Sequence, residues 1–253
     1  MGKIYVFLEM IKYEHTIFSL PFALAAVLLT EATRITFFKV TLIVVAMVGA
    51  RTTAMALNRI IDRRIDAANP RTRDRALPRG LMRVAEAWLY TALAAAIFLY
   101  AAFLLGSLPF KLAPACLAAF TLYSYTKRLT WLSHYILGVT IGMAPLAAWV
   151  ALNDDAAAGI VVLSLAVALW IAGFDIIYAC ADYDFDCAAR LYSIPARFGI
   201  KKALAISAWT HTAAAVLFVW TGAILGLGIC YWLGLLAVMG LMAKQHAILS
   251  PQN

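Results

Sequence analysis

Of the 253 residues in this chain, 64% are hydrophobic and only 13% are charged; a soluble domain carries roughly 45–50% and about 25%. That excludes an ordinary water-soluble domain, and no polar block is long enough for a second one, so residues 1–253 are expected to form a single transmembrane domain. The net charge of +8 lies between apolar runs, where membrane topology and anionic headgroups account for it without nucleic acid.

Apolar runs cover about 14–30, 36–57, 84–106, 109–126, 131–152, 158–181, 202–222 and 223–243. Each is close to the ~20 residues that cross the hydrocarbon layer as a helix. The first run is followed by no small-residue cleavage site and is read as a permanent helix. The last two are divided only by Gly222, Gly226 and Gly228. The fold class is therefore all-α, a polytopic transmembrane helical bundle of about eight spans. The loops after spans two, four and six hold fourteen Lys and Arg, against three in the loops after spans one, three, five and seven. By the positive-inside rule the N-terminus and the even loops are cytoplasmic, in an integral protein of the cytoplasmic membrane, the inner one if the source is bacterial.

Two acidic stretches stand at that cytoplasmic side. Asn58, Asp62 and Asp66 follow span two at i, i+4 and i+8, and so share one helical face. Asp182 and Asp186 follow span six at the same spacing. Taken singly, either set can be a solvated helix end paired with arginines. Two carboxylate sets facing each other would repel unless a cation sat between them. Hard oxygen donors of this kind suit Mg²⁺, which fills its remaining positions with water and phosphate oxygens. The loop after Asp66 adds Arg71, Arg73, Arg75 and Arg79. Such side chains either fork onto a diphosphate or serve topology and lipid headgroups.

Arg51 lies about two turns inside span two on roughly the face of Asn58, where a charge is expensive and by default functional. Tyr123 and Lys127 are spaced i, i+4 at the end of span four, although a boundary lysine can simply snorkel. Within span six, Asp175 and Tyr178 precede Asp182; Asp175 either orients an acceptor or makes a structural hydrogen bond. His15 opens span one as a substrate contact or an interfacial residue, whereas His134, His211 and His246 share no metal-like spacing and are read as structural. No glycine-rich phosphate loop, GxSxG or HExxH occurs, which leaves nucleotide, serine and zinc hydrolysis without support.

The pattern Asn58-x3-Asp62-x3-Asp66, with Tyr178-x3-Asp182-x3-Asp186, resembles the UbiA superfamily of intramembrane aromatic prenyltransferases. The stretches Ile11–Phe22, Gly173–Ala179 and Ser193–Gly199 are similar to its 4-hydroxybenzoate polyprenyltransferase branch. The resemblance implies a helical bundle around a central cavity. It implies Mg²⁺-dependent transfer of a polyprenyl group from polyprenyl diphosphate to a small aromatic acceptor, 4-hydroxybenzoate or a related ubiquinone or menaquinone precursor, with release of diphosphate. On it, Asn58, Asp62, Asp66, Asp182 and Asp186 hold two Mg²⁺ ions bridged by the diphosphate. Arg51, Arg71, Tyr123 and Lys127 grip the diphosphate or the acceptor, and Asp175 stands near the acceptor, with Tyr178 beside it. Membrane lipids are the expected surroundings, and no obligate protein partner is implied. Two departures stand out: Arg59 occupies a position where many members carry Asp, and the chain stops at Ser250–Asn253, where a ninth helix would begin.

Two rivals remain. Intramembrane Arg51 and Asp175 are typical of a transporter or ion pathway, but the charges crowd at one face and no paired broken helices occur. Spaced aspartates also occur in CDP-alcohol phosphotransferases, whose DxxDGxxAR pattern fails here at Ala67-Ala68-Asn69.

Overall fold

The computed structural model describes residues 2–249, the side chains of residues 15 and 17–19 excepted. His15 and Ser250–Asn253, singled out above, therefore lie outside what is described. Among the described residues all regular structure is helical: α1 (Lys3–Met10), α2 (Thr16–Leu29), α3 (Phe37–Ala68), α4 (Val84–Leu105), α5 (Ser107–Thr126), α6 (Ser133–Asn153), α7 (Ala158–Ala179), α8 (Tyr183–Ala188), α9 (Ile194–Phe198), α10 (Ile200–Ile224) and α11 (Ile229–Ile248). Five are long and apolar enough to cross a membrane: α3, α4, α6, α7 with its continuation through α8, and α10.

The chain divides into two compact units. One holds the residues up to Tyr125 together with Ala147–Asp155, the other Thr126–Leu146 and the residues from Ala156 onward.

In the first unit α3 is the organising element. Thr36 caps it by accepting the Lys39 N–H at 3.2 Å, and Asn69, extended as a residue before proline prefers, ends it. Its 32 residues make ~48 Å of helix, against ~30 Å of hydrocarbon. The expected span at 36–57 and the acidic stretch after it are thus one uninterrupted helix, and the acidic residues ride on its overhang. The short α1 falls outside the expected spans because eight residues are too few to cross. It lies over α3 and the start of α4, where Phe7, Met10 and Ile11 pack with Ala56, Ile60, Met82 and Ala87. Away from α1, α2 and α3 pack with the last turns of α6 through Ala26, Ile43 and Ala151, and Asn153 donates to Thr30 Oγ1 at 3.1 Å.

In the second unit small residues set the spacing of helices. Gly138 and Gly142 form a GxxxG face on α6, and a Cβ at Gly138 would stand 2.2 Å from the Ala168 carbonyl oxygen of α7. Such close approach is a common way of joining helices in lipid, where no hydrophobic drive operates. Gly138→Ala should therefore lower stability by ~1–3 kcal/mol through overpacking, read as a drop in the unfolding midpoint in detergent; an unchanged midpoint would mean that the two backbones can separate. On the other side of α7, Gly173 leaves room for His211 of α10, which a Cβ would meet at 2.4 Å. His211 and His246, far apart in the chain, meet here: their ring nitrogens stand 2.7 Å apart, and His211 Nε2 reaches the Trp170 carbonyl at 3.1 Å.

Two boundaries differ from expectation. The helix α10 runs on to Ile224, so that α11 starts at Ile229 rather than at 223. Between α7 and α8 the chain tightens into a 3₁₀ turn over Cys180–Asp182, so Asp182 ends that turn while Asp186 lies on α8.

Candidate active site

Helical spacing puts Asn58, Asp62 and Asp66 on one face of α3, and their contacts run along it. Asn58 Nδ2 donates to Asp62 Oδ2 at 3.0 Å, while Asp66 Oδ1 accepts from Arg75 Nη1 at 2.8 Å. Both carboxylates are buried, at 2% and 4% exposure, which a charged side chain tolerates only with partners. The following loop is folded back to supply them. Asn69 Oδ1 accepts the Arg71 N–H at 2.9 Å and Thr72 Oγ1 donates to the Asp66 carbonyl at 3.0 Å, a local knot that aims Arg75 at Asp66. Arg71, Arg73 and Arg79 remain at the surface.

Arg59, a departure from the family pattern in the sequence, acquires a structural reason. Its Nε donates to the Met10 carbonyl at the end of α1, at 3.3 Å, and Asp62, Asp66, Arg75 and Tyr123 surround it electrostatically. Tyr123 is thus brought to the first acidic stretch. Further up α3, Arg51 Nε donates to Thr16 Oγ1 at 3.3 Å.

The second unit gathers the other candidates. Asp182 ends the 3₁₀ turn at φ −102°, ψ 7°, in the sparsely populated bridge region where many active-site residues sit. Asp186 is carried by α8; the Ser193 hydroxyl hydrogen-bonds it, and Asp182, Lys127 and His134 lie within electrostatic range. Lys127 stands one residue beyond α5, and its carbonyl accepts the Tyr192 N–H at 2.8 Å. Tyr178 is exposed on α7. Asp175, a half-buried carboxylate, accepts from His134 Nδ1 at 2.7 Å.

Sequence reasoning passed over three of these residues: Arg59, Ser193 and His134. Arg59 carried a usable signal, its place one turn before Asp62. His134 and Ser193 carried none, since their partners are distant in the chain or lie across an irregular loop.

The donor chemistry fits Mg²⁺. Asp62 and Asp66 offer carboxylate oxygens, and Asn58, whose amide nitrogen donates to Asp62, adds an amide oxygen, a further hard donor type. Among the described residues no group of three or more His, Cys, Asp or Glu side chains forms a ready-made metal cluster. An ion here would take part of its shell from outside the protein, as Mg²⁺ does with water and phosphate oxygens.

The chain thus carries five helices apolar enough to cross a membrane and two buried carboxylates on one of them. The UbiA prenyltransferase family model matches residues 19–253, and the chain belongs to that family. It is accordingly a prenyltransferase and an integral membrane enzyme, which sets aside the transporter and CDP-alcohol phosphotransferase readings. The 4-hydroxybenzoate octaprenyltransferase of Vibrio cholerae is 31% identical over 199 residues, covering 78% of this chain and 70% of that one. The enzyme of the same name from Paraburkholderia phytofirmans is 30% identical over 214 residues, covering 82% and 73%. Among solved structures, a UbiA homolog from Aeropyrum pernix K1 superposes with a TM-score of 0.86 at 38% identity, covering 93% of this chain and 88% of that one. A UbiA homolog from Archaeoglobus fulgidus bound to GPP and Mg²⁺ shares the fold, with a TM-score of 0.79 at 19% identity over 96% and 86% of the two chains.

Proposed function

We propose that this chain transfers a polyprenyl group from polyprenyl diphosphate to an aromatic quinone precursor, most simply 4-hydroxybenzoate, and releases diphosphate. The observation that carries the reading is the buried acidic face Asn58–Asp62–Asp66 beside Arg75, in a chain whose relatives are named 4-hydroxybenzoate octaprenyltransferases. Asn58, Asp62, Asp66, Asp182 and Asp186 would hold Mg²⁺. Bound Mg²⁺ supplies positive charge at the departing phosphate oxygens. We further propose that the chain crosses the membrane eight times, with its N-terminus and both acidic stretches at the cytoplasmic face, since fourteen of its cationic residues fall in the loops of that side.

The roles of the side chains follow from charge and position. Arg71 and Lys127 take up negative charge as the allylic C–O bond breaks and the electron pair leaves with diphosphate. Tyr123 and Tyr178 offer aromatic faces to the cationic carbon, which must be kept from water. Arg51 and Asp175 orient the acceptor, whose ring carbon forms the new C–C bond and then loses a proton to recover aromaticity. The lipid-like tail of the donor leaves toward the bilayer.

Purified protein incubated with labelled geranyl or longer polyprenyl diphosphates and a panel of aromatic acceptors tests this. Mg²⁺-dependent prenylation of 4-hydroxybenzoate is the expected result. Prenylation of some other acceptor alone would move the substrate within the family, and transfer to no aromatic ring would refute the reading.

A further inference from the structure

We infer that His134 is a positioning residue, holding the Asp175 carboxylate in the orientation the acceptor requires and tying it to the segment that holds Asp186. The inference rests on the reading of Asp175 as an acceptor-orienting group.

His134 is the second residue of α6 and nearly all of its side chain is buried, with 4% exposed, while 30% of the Asp175 side chain remains open. Both ring nitrogens are used. Nε2 receives the Ile194 backbone N–H at 3.2 Å, and a backbone amide can only donate, so Nε2 carries no proton. In a neutral ring the proton then sits on Nδ1, which donates to Asp175 Oδ2 at 2.7 Å. The tautomer is thus assigned from its partners.

The donor that sets this tautomer is itself fixed. The Ile194 side chain is fully buried against Ile176, the residue after Asp175, and against Ala203 of α10. Its neighbour Ser193 caps α9 by accepting the Ala196 N–H at 3.2 Å and hydrogen-bonds Asp186. Two adjacent residues therefore serve two acids. Ser193 holds the carboxylate of the second acidic stretch, and Ile194, through His134, holds the one three turns of chain earlier. A single histidine thereby joins the geometry of the acceptor to that of the diphosphate end.

Substitution separates the two ring contacts. In His134→Asn the amide nitrogen falls near Nδ1 and keeps the donor to Asp175, while His134→Gln reaches only toward Ile194. With geranyl diphosphate and 4-hydroxybenzoate as probes, His134→Gln and His134→Ala should raise the acceptor KM roughly 10–100-fold, the loss of one hydrogen bond to a charged group. The diphosphate KM should stay within about twofold of wild type, and His134→Asn should recover most of the acceptor KM. Equal effects on both substrates, or Asn no better than Gln, would make His134 a structural staple and overturn the inference. If His134→Ala does not fold, the Asn–Gln pair decides, since each retains one contact. Asp175→Asn is the control for the underlying reading. An unchanged acceptor KM there removes Asp175 from the acceptor site, whereas a raised one with silent His134 variants sinks the inference alone.

Discussion

Asp62→Ala and Asp182→Ala should each reduce prenyl transfer in membranes by at least ~100-fold at any Mg²⁺ concentration. Removing a group that merely supports a metal ligand costs about 10–100-fold, so a ligand itself belongs at or beyond the upper end. Asp62 is the cleaner of the two, because it is buried on a regular helix and accepts from the Asn58 amide at 3.0 Å, a neutral group that survives the loss. Asp182 sits in a 3₁₀ turn, so Asp182→Asn should accompany it to keep the local shape. Unfolding midpoints within a few degrees of wild type would assign the loss to chemistry. Full activity in either alanine variant would dismiss the pairing of the two acidic stretches in one reaction.

Replacement of Arg75 has a large expected effect on stability. Its guanidinium holds Asp66 at 2.8 Å, with side-chain exposures of 28% and 6%. Breaking a fully buried pair leaves an uncompensated charge and costs ~3–5 kcal/mol; with one partner partly solvated, ~2 kcal/mol is expected for Arg75→Met. The sign of its Mg²⁺ dependence is the informative part. With the arginine gone, Asp66 needs another cation, so millimolar Mg²⁺ should restore the unfolding midpoint of the variant far more than it raises that of wild type. A midpoint indifferent to Mg²⁺ would remove Asp66 from the set of metal ligands.

Much of this was legible in the sequence, for physical reasons that also mark where legibility ended. The periodicity of α3 placed Asn58, Asp62 and Asp66 on one face because a helix has a fixed pitch and nothing interrupts it before Pro70. The same reasoning did not foresee the 3₁₀ turn at Asp182, since neither glycine nor proline announces the tightening after Ala179, although Asp182 and Asp186 stay within electrostatic range of each other. The loop arginines were too many to rank by charge alone. Arg75 was singled out only by the turn that Asn69 and Thr72 build, which depends on backbone hydrogen bonds. His134 was invisible because its two partners are 41 and 60 residues away.

The uninterrupted α3 makes its length a ruler. A residue inserted or deleted between Thr36 and Asn58 would swing the whole acidic face by about 100° and slide it by ~1.5 Å along the axis. Seven added residues would bring the face back to within ~20° of its direction yet carry it ~10 Å farther from its cap. Genuine variation in chain length should therefore collect in connections such as residues 225–228, while the distance from the cap to the first metal-ligand candidate stays constant to the residue.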